Sequence, residues 1–252
     1  PLRKTRSWYT SAMSKSKQFS NPLLVGAYDS INSLGEDADF WLREIKKLSP
    51  KTIMDFGCGT GLLTCQLAKL GYETIGVDPF SAMLEVAKQK LNADKVQWIE
   101  GDYRKLGGLK TDLVLMTSHV AQFLLTNEEW LGVLKNAHDS LNQGGHIMFD
   151  SRRSLKESFA TWPAIKTRRS VTDPVLGEIE YWCNVLETTD VLAKYELHYH
   201  FKKSNEIVVS TDTIIFRTKD TIKNSLKDAG FKIQTVFAVS YTHLTLPTNR
   251  EV

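Results

Sequence analysis

The run Asp55-Phe56-Gly57-Cys58-Gly59-Thr60-Gly61 sets three glycines at alternate positions directly behind a carboxylate. Glycines in that spacing let the backbone take positive φ and approach a bound molecule closely, and the amides at the mouth of a following helix attract an anionic group. A dinucleotide fingerprint would place its third glycine where this chain has Leu62. Asp55 would also repel a pyrophosphate entering the loop, whereas it suits a ligand bearing an ammonium or sulfonium charge. Asp78 follows about 20 residues later, where a carboxylate accepts hydrogen bonds from a ribose diol. Asp102, in Glu100-Gly101-Asp102-Tyr103, is placed to accept from an exocyclic adenine amine. The chemistry predicted is recognition of an amino acid, a ribose and an adenine joined in one molecule.

These residues need a scaffold that brings strand ends together. From Lys51 onward, short β-branched runs alternate with helical patterns, which predicts a parallel sheet covered on both faces. Strands are expected at 52–56, 73–77, 96–100, 113–117 and 146–149. Helices are expected at 62–70, 81–91 with Ser81 as N-cap, and 128–141, the last closed by Asn142-Gln143-Gly144-Gly145. A helix at 37–48 carries the apolar stripe Phe40, Trp41, Ile45 and Leu48. After Asp150 the rhythm changes to long alternating segments. In the middle one, Val191, Ala193, Tyr195, Leu197, Tyr199 and Phe201 share a face opposite Lys194, Glu196, His198 and His200. A helix at 218–229 and a strand at 231–238 close the pattern. The fold expected is a doubly wound, Rossmann-like, mostly parallel α/β sheet with an antiparallel β insert. The domain boundaries expected are a core at 21–150, a lid at 151–217 and a return to the core at 218–238, preceded by a basic, Ser-rich tail at 1–20.

The ligand that fits the three acids is S-adenosylmethionine, and the chain resembles the class I methyltransferases that use it. The resemblance runs from about Tyr28 to Ala238 and is carried by MDFGCGTG (54–61), IGVDPFSAML (75–84), EGDYRKL (100–106) and LNQGGHIMFD (141–150). It implies that Asp55 and the loop Gly57, Cys58, Gly59 and Gly61 hold the methionine moiety and Asp78 the ribose. By the same resemblance Phe80 and Met83 lie near the adenine, Asp102 and Tyr103 bind its edge, and Pro79, Gly101 and Thr117 are further cofactor-binding residues. The β-rich insert is similar to the lid of small-molecule methyltransferases such as sugar N-methyltransferases.

Methyl transfer from a sulfonium is an in-line displacement, so the protein mainly aligns the reactants and excludes water. Where the acceptor is a hydroxyl or a protonated amine a base helps, and His119, in Thr117-Ser118-His119-Val120, is the candidate. Cys58 reads as a small filler between glycines. Glu196, His198 and His200 have strand spacing compatible with a metal, but a solvated face accounts for them and no metal is expected. Arg152, Arg153, Arg168 and Arg169 favour an acidic acceptor, or otherwise solvate a loop, and Trp162 and Trp182 are candidate pocket walls. Two other readings stand beside methyl transfer to nitrogen or oxygen of a small molecule: an NAD(P)-dependent oxidoreductase and a non-catalytic binder of S-adenosylmethionine.

Composition narrows the remaining classes. The chain has 252 residues, 42% hydrophobic, with 32 basic against 29 acidic side chains. A net charge of +3 without a clustered basic face argues against nucleic acid as partner. No apolar run approaches the ~20 residues of a spanning helix, and three cysteines without a CxxC pair fit a reducing compartment, so a cytoplasmic protein with free thiols is expected. The sequence opens at Pro1, with Met13 as an alternative start. The segment 239–252 begins VSYTHLTLPT, which matches an in-frame translation of a sequencing adapter and is expected to stand outside the fold.

Overall fold

The computed structural model describes residues 16–105, 108–152, 164–239 and 248–251. Five parallel strands form the heart of the larger sheet: β1 (Thr52–Phe56), β2 (Glu73–Asp78), β3 (Val96–Glu100), β4 (Thr111–Met116) and β5 (Leu141–Arg152). β10 (Val236–Val239) and β11 (Thr248–Glu251) join antiparallel, giving the order β10-β11-β5-β4-β1-β2-β3. The strand order reverses at β1, which pairs in parallel with β2 on one side and β4 on the other. The crevice outside the carboxyl ends of these strands is where open α/β sheets bind ligands.

The strand interiors are apolar because both faces are covered. On one face Met54, Val77, Val114 and Phe149 pack against Trp130, Leu134 and Ala137 of α6 (Asn127–Ser140). On the other, Ile53, Leu113 and Met148 meet Trp41 and Ile45 of α2 (Glu36–Leu48) and Leu67 of α3 (Leu62–Lys69). α6 starts at a capping box in which Thr126 and Glu129 satisfy each other's backbone amides. It ends at Ser140, where Leu141 turns extended, so β5 begins five residues before the expected strand. α4 (Ser81–Ala87) is shorter than expected, with Phe80 rather than Ser81 at the N-cap; the carboxylate of Asp78 takes the Phe80 amide and replaces a side-chain cap. The last core strand starts at Val236 instead of 231. Thr248–Glu251 lies within the segment expected to stand outside the fold and pairs between β10 and β5.

The second sheet, β6 (Arg169–Asp173), β7 (Gly177–Thr188), β8 (Leu192–Phe201) and β9 (Glu206–Ile215), is wholly antiparallel. The expected two-faced strand is β8: Ala193, Tyr195, Tyr199 and Phe201 are buried, while Lys194, Glu196, His198 and His200 are half-buried on the other face. α1 (Pro22–Ile31) belongs to this sheet's core, Leu24 and Ala27 packing with Ile179, Tyr199 and Phe201. The two sheets are tied at a short helix, α5 (Val120–Phe123). Buried Arg217, just beyond β9, donates to the carbonyls of Ala121 (3.1 Å), Leu124 and Thr126 (3.4 Å) and lies over the Trp130 ring. It thereby supplies donors to the Ala121 and Leu124 carbonyls at the end of α5 and a second donor to the Thr126 carbonyl, which also accepts the Trp130 amide.

Candidate functional site

The glycine loop is held from behind. The amides of Gly57 and Cys58 both donate to the Val77 carbonyl, at 2.8 and 3.1 Å, which ties β1's exit to β2. Gly57, Gly59 and Gly61 all have positive φ (77, 54 and 73°). Two of them are also sterically obliged: a Cβ would lie 2.5 Å from Val120 at Gly57 and 2.6 Å from Trp98 at Gly61. At Gly59 the same atom would meet nothing within 4 Å. Gly59 lines the cavity, so bare backbone faces the space a ligand would enter.

Two buried acids flank that backbone. Asp78 accepts from the amides of Gly59 (2.8 Å) and Phe80 (2.9 Å), so one carboxylate sets both loops at the strand ends. Burial nevertheless raises its pKa to about 6, those two amides pulling the other way. Asp55 accepts from the Thr64 hydroxyl at 2.6 Å through one oxygen, while the other oxygen is buried without a partner among the described residues. Burial raises the Asp55 pKa to about 6 as well, Thr64 lowering it and Asp78 adding to the rise. A buried carboxylate held ready to ionise is one that a cation completes.

These groups open into a single cavity of about 1400 Å³. That exceeds the ~300–1,000 Å³ usual for one ligand and suits two reactants side by side. Of the residues expected from sequence, Asp55, Gly57, Cys58, Gly59, Asp78, Pro79, Phe80, Met83, Asp102, Tyr103, Thr117 and His119 line it. Gly61 and Gly101 do not; Gly61 lets α3 close on Trp98, and the Gly101 amide donates to the Asp78 carbonyl at 3.0 Å. Asp102 sits at the rim with Arg104 chelating it, Nε at 2.9 and 3.0 Å, which holds its carboxyl below the usual range. Burial pushes the Cys58 thiol well above its ordinary pKa, in keeping with a filler.

His119 lines the same cavity as the glycine loop and the antiparallel sheet. Ser118 and His119 take left-handed φ of 55 and 67° in succession, a conformation costly for ordinary side chains. It is held by buried Asp150 at the end of β5, which accepts the His119 amide at 3.1 Å and whose other oxygen abuts Nδ1. Nδ1 faces that carboxylate, and Nε2 is the other nitrogen of the ring. The antiparallel sheet adds Tyr181, Trp182, Tyr195 and Tyr199, and the end of β5 adds Arg152. Arg153 and Trp162 lie outside the described residues. Among the described residues no group of three or more His, Cys, Asp or Glu is placed to hold a metal; His198 instead contacts Asn184 and Glu196 and stacks on Trp182.

Sequence reasoning missed the groups that hold these parts in place. Asp29 of α1 accepts from the Thr60 hydroxyl and from Lys90, each at 2.5 Å, and so clasps the glycine loop to α1. Phe19 fills the space between Phe80 and Phe123, its ring centroid 5.2 and 5.6 Å from theirs. No local pattern announces either, because partners 31 and more residues apart meet only in the folded chain.

Residues 53–145 match a family model described as a methyltransferase domain. An uncharacterised methyltransferase of Oceanobacillus iheyensis is 32% identical over 177 residues, 69% of this chain and 81% of that one. The chain belongs to the class I S-adenosylmethionine-dependent methyltransferases. A cypemycin N-terminal methyltransferase from a Streptomyces species is 29% identical over 60% of this chain and 62% of its own length. The fold is shared with a S-adenosylmethionine-dependent methyltransferase from Clostridium acetobutylicum (17% identity, TM-score 0.72, 89% and 94% of the two chains). An amino pentose methyltransferase from Micromonospora echinaspora, solved with S-adenosylmethionine bound, matches with TM-score 0.71 at 16% identity, over 91% and 97%. The cofactor of this methyltransferase is S-adenosylmethionine, and family membership displaces the oxidoreductase alternative. The open backbone at Gly59 and the unpartnered Asp55 oxygen fit such a cofactor. Among the described residues no helix is long and apolar enough to cross a membrane, and all three cysteines are free thiols.

Proposed function

We propose that this methyltransferase acts on a nitrogen or oxygen atom of a small molecule held between His119 and the antiparallel lid. The observation that carries the reading is the His119–Asp150 pair, which lies at the carboxyl edge of the sheet on the wall of the same cavity as the glycine loop. In this reading Asp55 and the Gly57–Gly59 backbone hold the methionine portion of the cofactor, Asp78 its ribose, and Phe80 and Met83 its adenine. Bound S-adenosylmethionine supplies an electrophilic methyl carbon whose bond to sulfur breaks as an acceptor lone pair bonds to it. His119 Nε2 takes the acceptor's proton, and Asp150 steadies the imidazolium that results. Phe19, Phe80 and Phe123 keep water from the reacting atoms. Structural neighbours that include a sugar N-methyltransferase and a glycopeptide N-methyltransferase support a small acceptor.

The test is His119→Asn, which tolerates positive φ and retains an N–H for Asp150. Labelled S-adenosylmethionine is incubated with the protein and a fractionated metabolite extract. The wild type yields a labelled small molecule, and the variant loses about 10²–10⁴-fold in kcat at unchanged S-adenosylhomocysteine affinity. An unchanged kcat overturns the base assignment. Saturable cofactor binding without labelled product from any fraction overturns the enzymatic reading.

A further inference from the structure

The core cluster between α1 and the antiparallel sheet gathers Leu24, Ala27, Ile179, Phe201 and Val208 around two tyrosines, Tyr181 and Tyr199. The two are direct partners across β7 and β8, and their rings stack with centroids 6.4 Å apart and planes 25° from parallel. Tyr199 is 4% exposed and Tyr181 8%, yet both line the cavity. Phe201, two residues along β8, shows that a ring without a hydroxyl packs on this face too.

Neither phenol is hydrogen-bonded to another described residue, and neither oxygen is among the polar atoms sealed off without a partner, so both open onto the cavity. Their polar neighbours are engaged elsewhere. Asp212, whose charge acts on Tyr199, accepts from the Ser210 hydroxyl at 2.9 Å. Arg169, paired with Tyr181 across β6 and β7, donates through Nη1 to the carbonyls of Lys166 and Arg168, both at 2.9 Å. Burial raises the pKa of each phenol, so each stays a donor at neutral pH. The pair also adjoins the cofactor loops: Tyr28 of α1 lies near enough to Asp78 and Asp29 to feel their charge, and near enough to Tyr199 to act on it. A hydroxyl at the edge of a packed cluster that bonds nothing in the free protein is a group kept for a ligand.

We propose that Tyr199 and Tyr181 select the methyl acceptor, their hydroxyls donating hydrogen bonds to oxygen or nitrogen atoms other than the one methylated. The inference rests on the small-molecule reading above and deepens it: the acceptor carries polar groups remote from its reacting atom. A pocket built to hydrogen-bond such groups discriminates against an analogue lacking them, because the phenols would then be desolvated and unpaired.

The experiment isolates the metabolite fraction that accepts label from S-adenosylmethionine. That fraction is titrated against the wild type, Tyr199→Phe, Tyr181→Phe and the double variant, the half-saturating dilution standing for KM. Tyr199→Phe is expected to lose about tenfold in kcat/KM, carried by KM, Tyr181→Phe several-fold, and the double variant roughly the product of the two. S-adenosylhomocysteine affinity, measured by calorimetry, stays at the wild-type value in all three. The urea midpoint of each variant stays level or rises, since phenylalanine desolvates no hydroxyl, whereas loss of a hydroxyl that served the fold would lower it. A wild-type KM in the double variant, a loss confined to kcat, or a lowered midpoint overturns selection by these phenols while leaving the small-molecule reading standing. No labelled product from any fraction with the wild type overturns both.

Discussion

Asp78→Asn probes the balance on which cofactor binding depends. Burial lifts the Asp78 pKa from 3.8 to about 6 even though two amides at 2.8 and 2.9 Å favour its charged form. A shift of that size corresponds to about 3 kcal/mol against ionisation in the cofactor-free protein. The proposed ribose contact needs the carboxylate, so affinity must fall once protons compete for it. Below about pH 6 the affinity of the wild type for S-adenosylhomocysteine is expected to drop roughly tenfold per unit from Asp78 alone. Asp55, with a similar pKa, steepens the fall. Asparagine cannot ionise and loses about 1.5–3 kcal/mol of charge-assisted hydrogen bonding, or roughly 10–150-fold in Kd at neutral pH, and its pH dependence flattens to the part owed to Asp55. Stability of the free protein runs the other way. Because the folded pKa lies above the unfolded one, the folded chain retains protons that the unfolded chain has released. The Asp78 contribution therefore declines as pH rises from about 4 to about 6 and is level above that. Calorimetry with S-adenosylhomocysteine from about pH 5 to 8, in two buffers of different ionisation enthalpy, counts the proton released. Affinity that is flat across about pH 5–7, or a variant that binds as the wild type does, refutes the reasoning.

Asp29→Asn loosens the clasp on the glycine loop by removing the charge that Lys90 neutralises; S-adenosylhomocysteine should dissociate several-fold faster, for about 1 kcal/mol, in a stopped-flow release assay, and an unaltered rate would show the clasp to be idle. Gly57→Ala meets both a left-handed φ and the Val120 methyl groups and should cost more than about 2 kcal/mol in chemical denaturation. Adding Val120→Ala should recover only the steric part, and full recovery by the double variant would mean that φ carries no penalty.

Much of this protein was legible in its residues. The alternation of apolar runs and helical patterns announced the parallel sheet, because strands buried on both faces must be apolar throughout. The spacing of Asp55, the glycines and Asp78 announced the cofactor, because loops at adjacent strand ends converge whatever surrounds them. Strand β8 displayed its period of two, since one of its faces is buried. Folding alone decided the pairings between distant segments. Asp150 reached His119 across 31 residues, Asp29 reached Thr60 from a helix outside the motif, and Gln122 met Arg152 across 30 residues. Each of these side chains is ordinary in its own sequence neighbourhood. The contacts of Asp150 and Arg152 come from β4 and β5 lying side by side, that of Asp29 from its helix packing beside the glycine loop, and long-range contacts of that kind leave no periodicity in the chain to read.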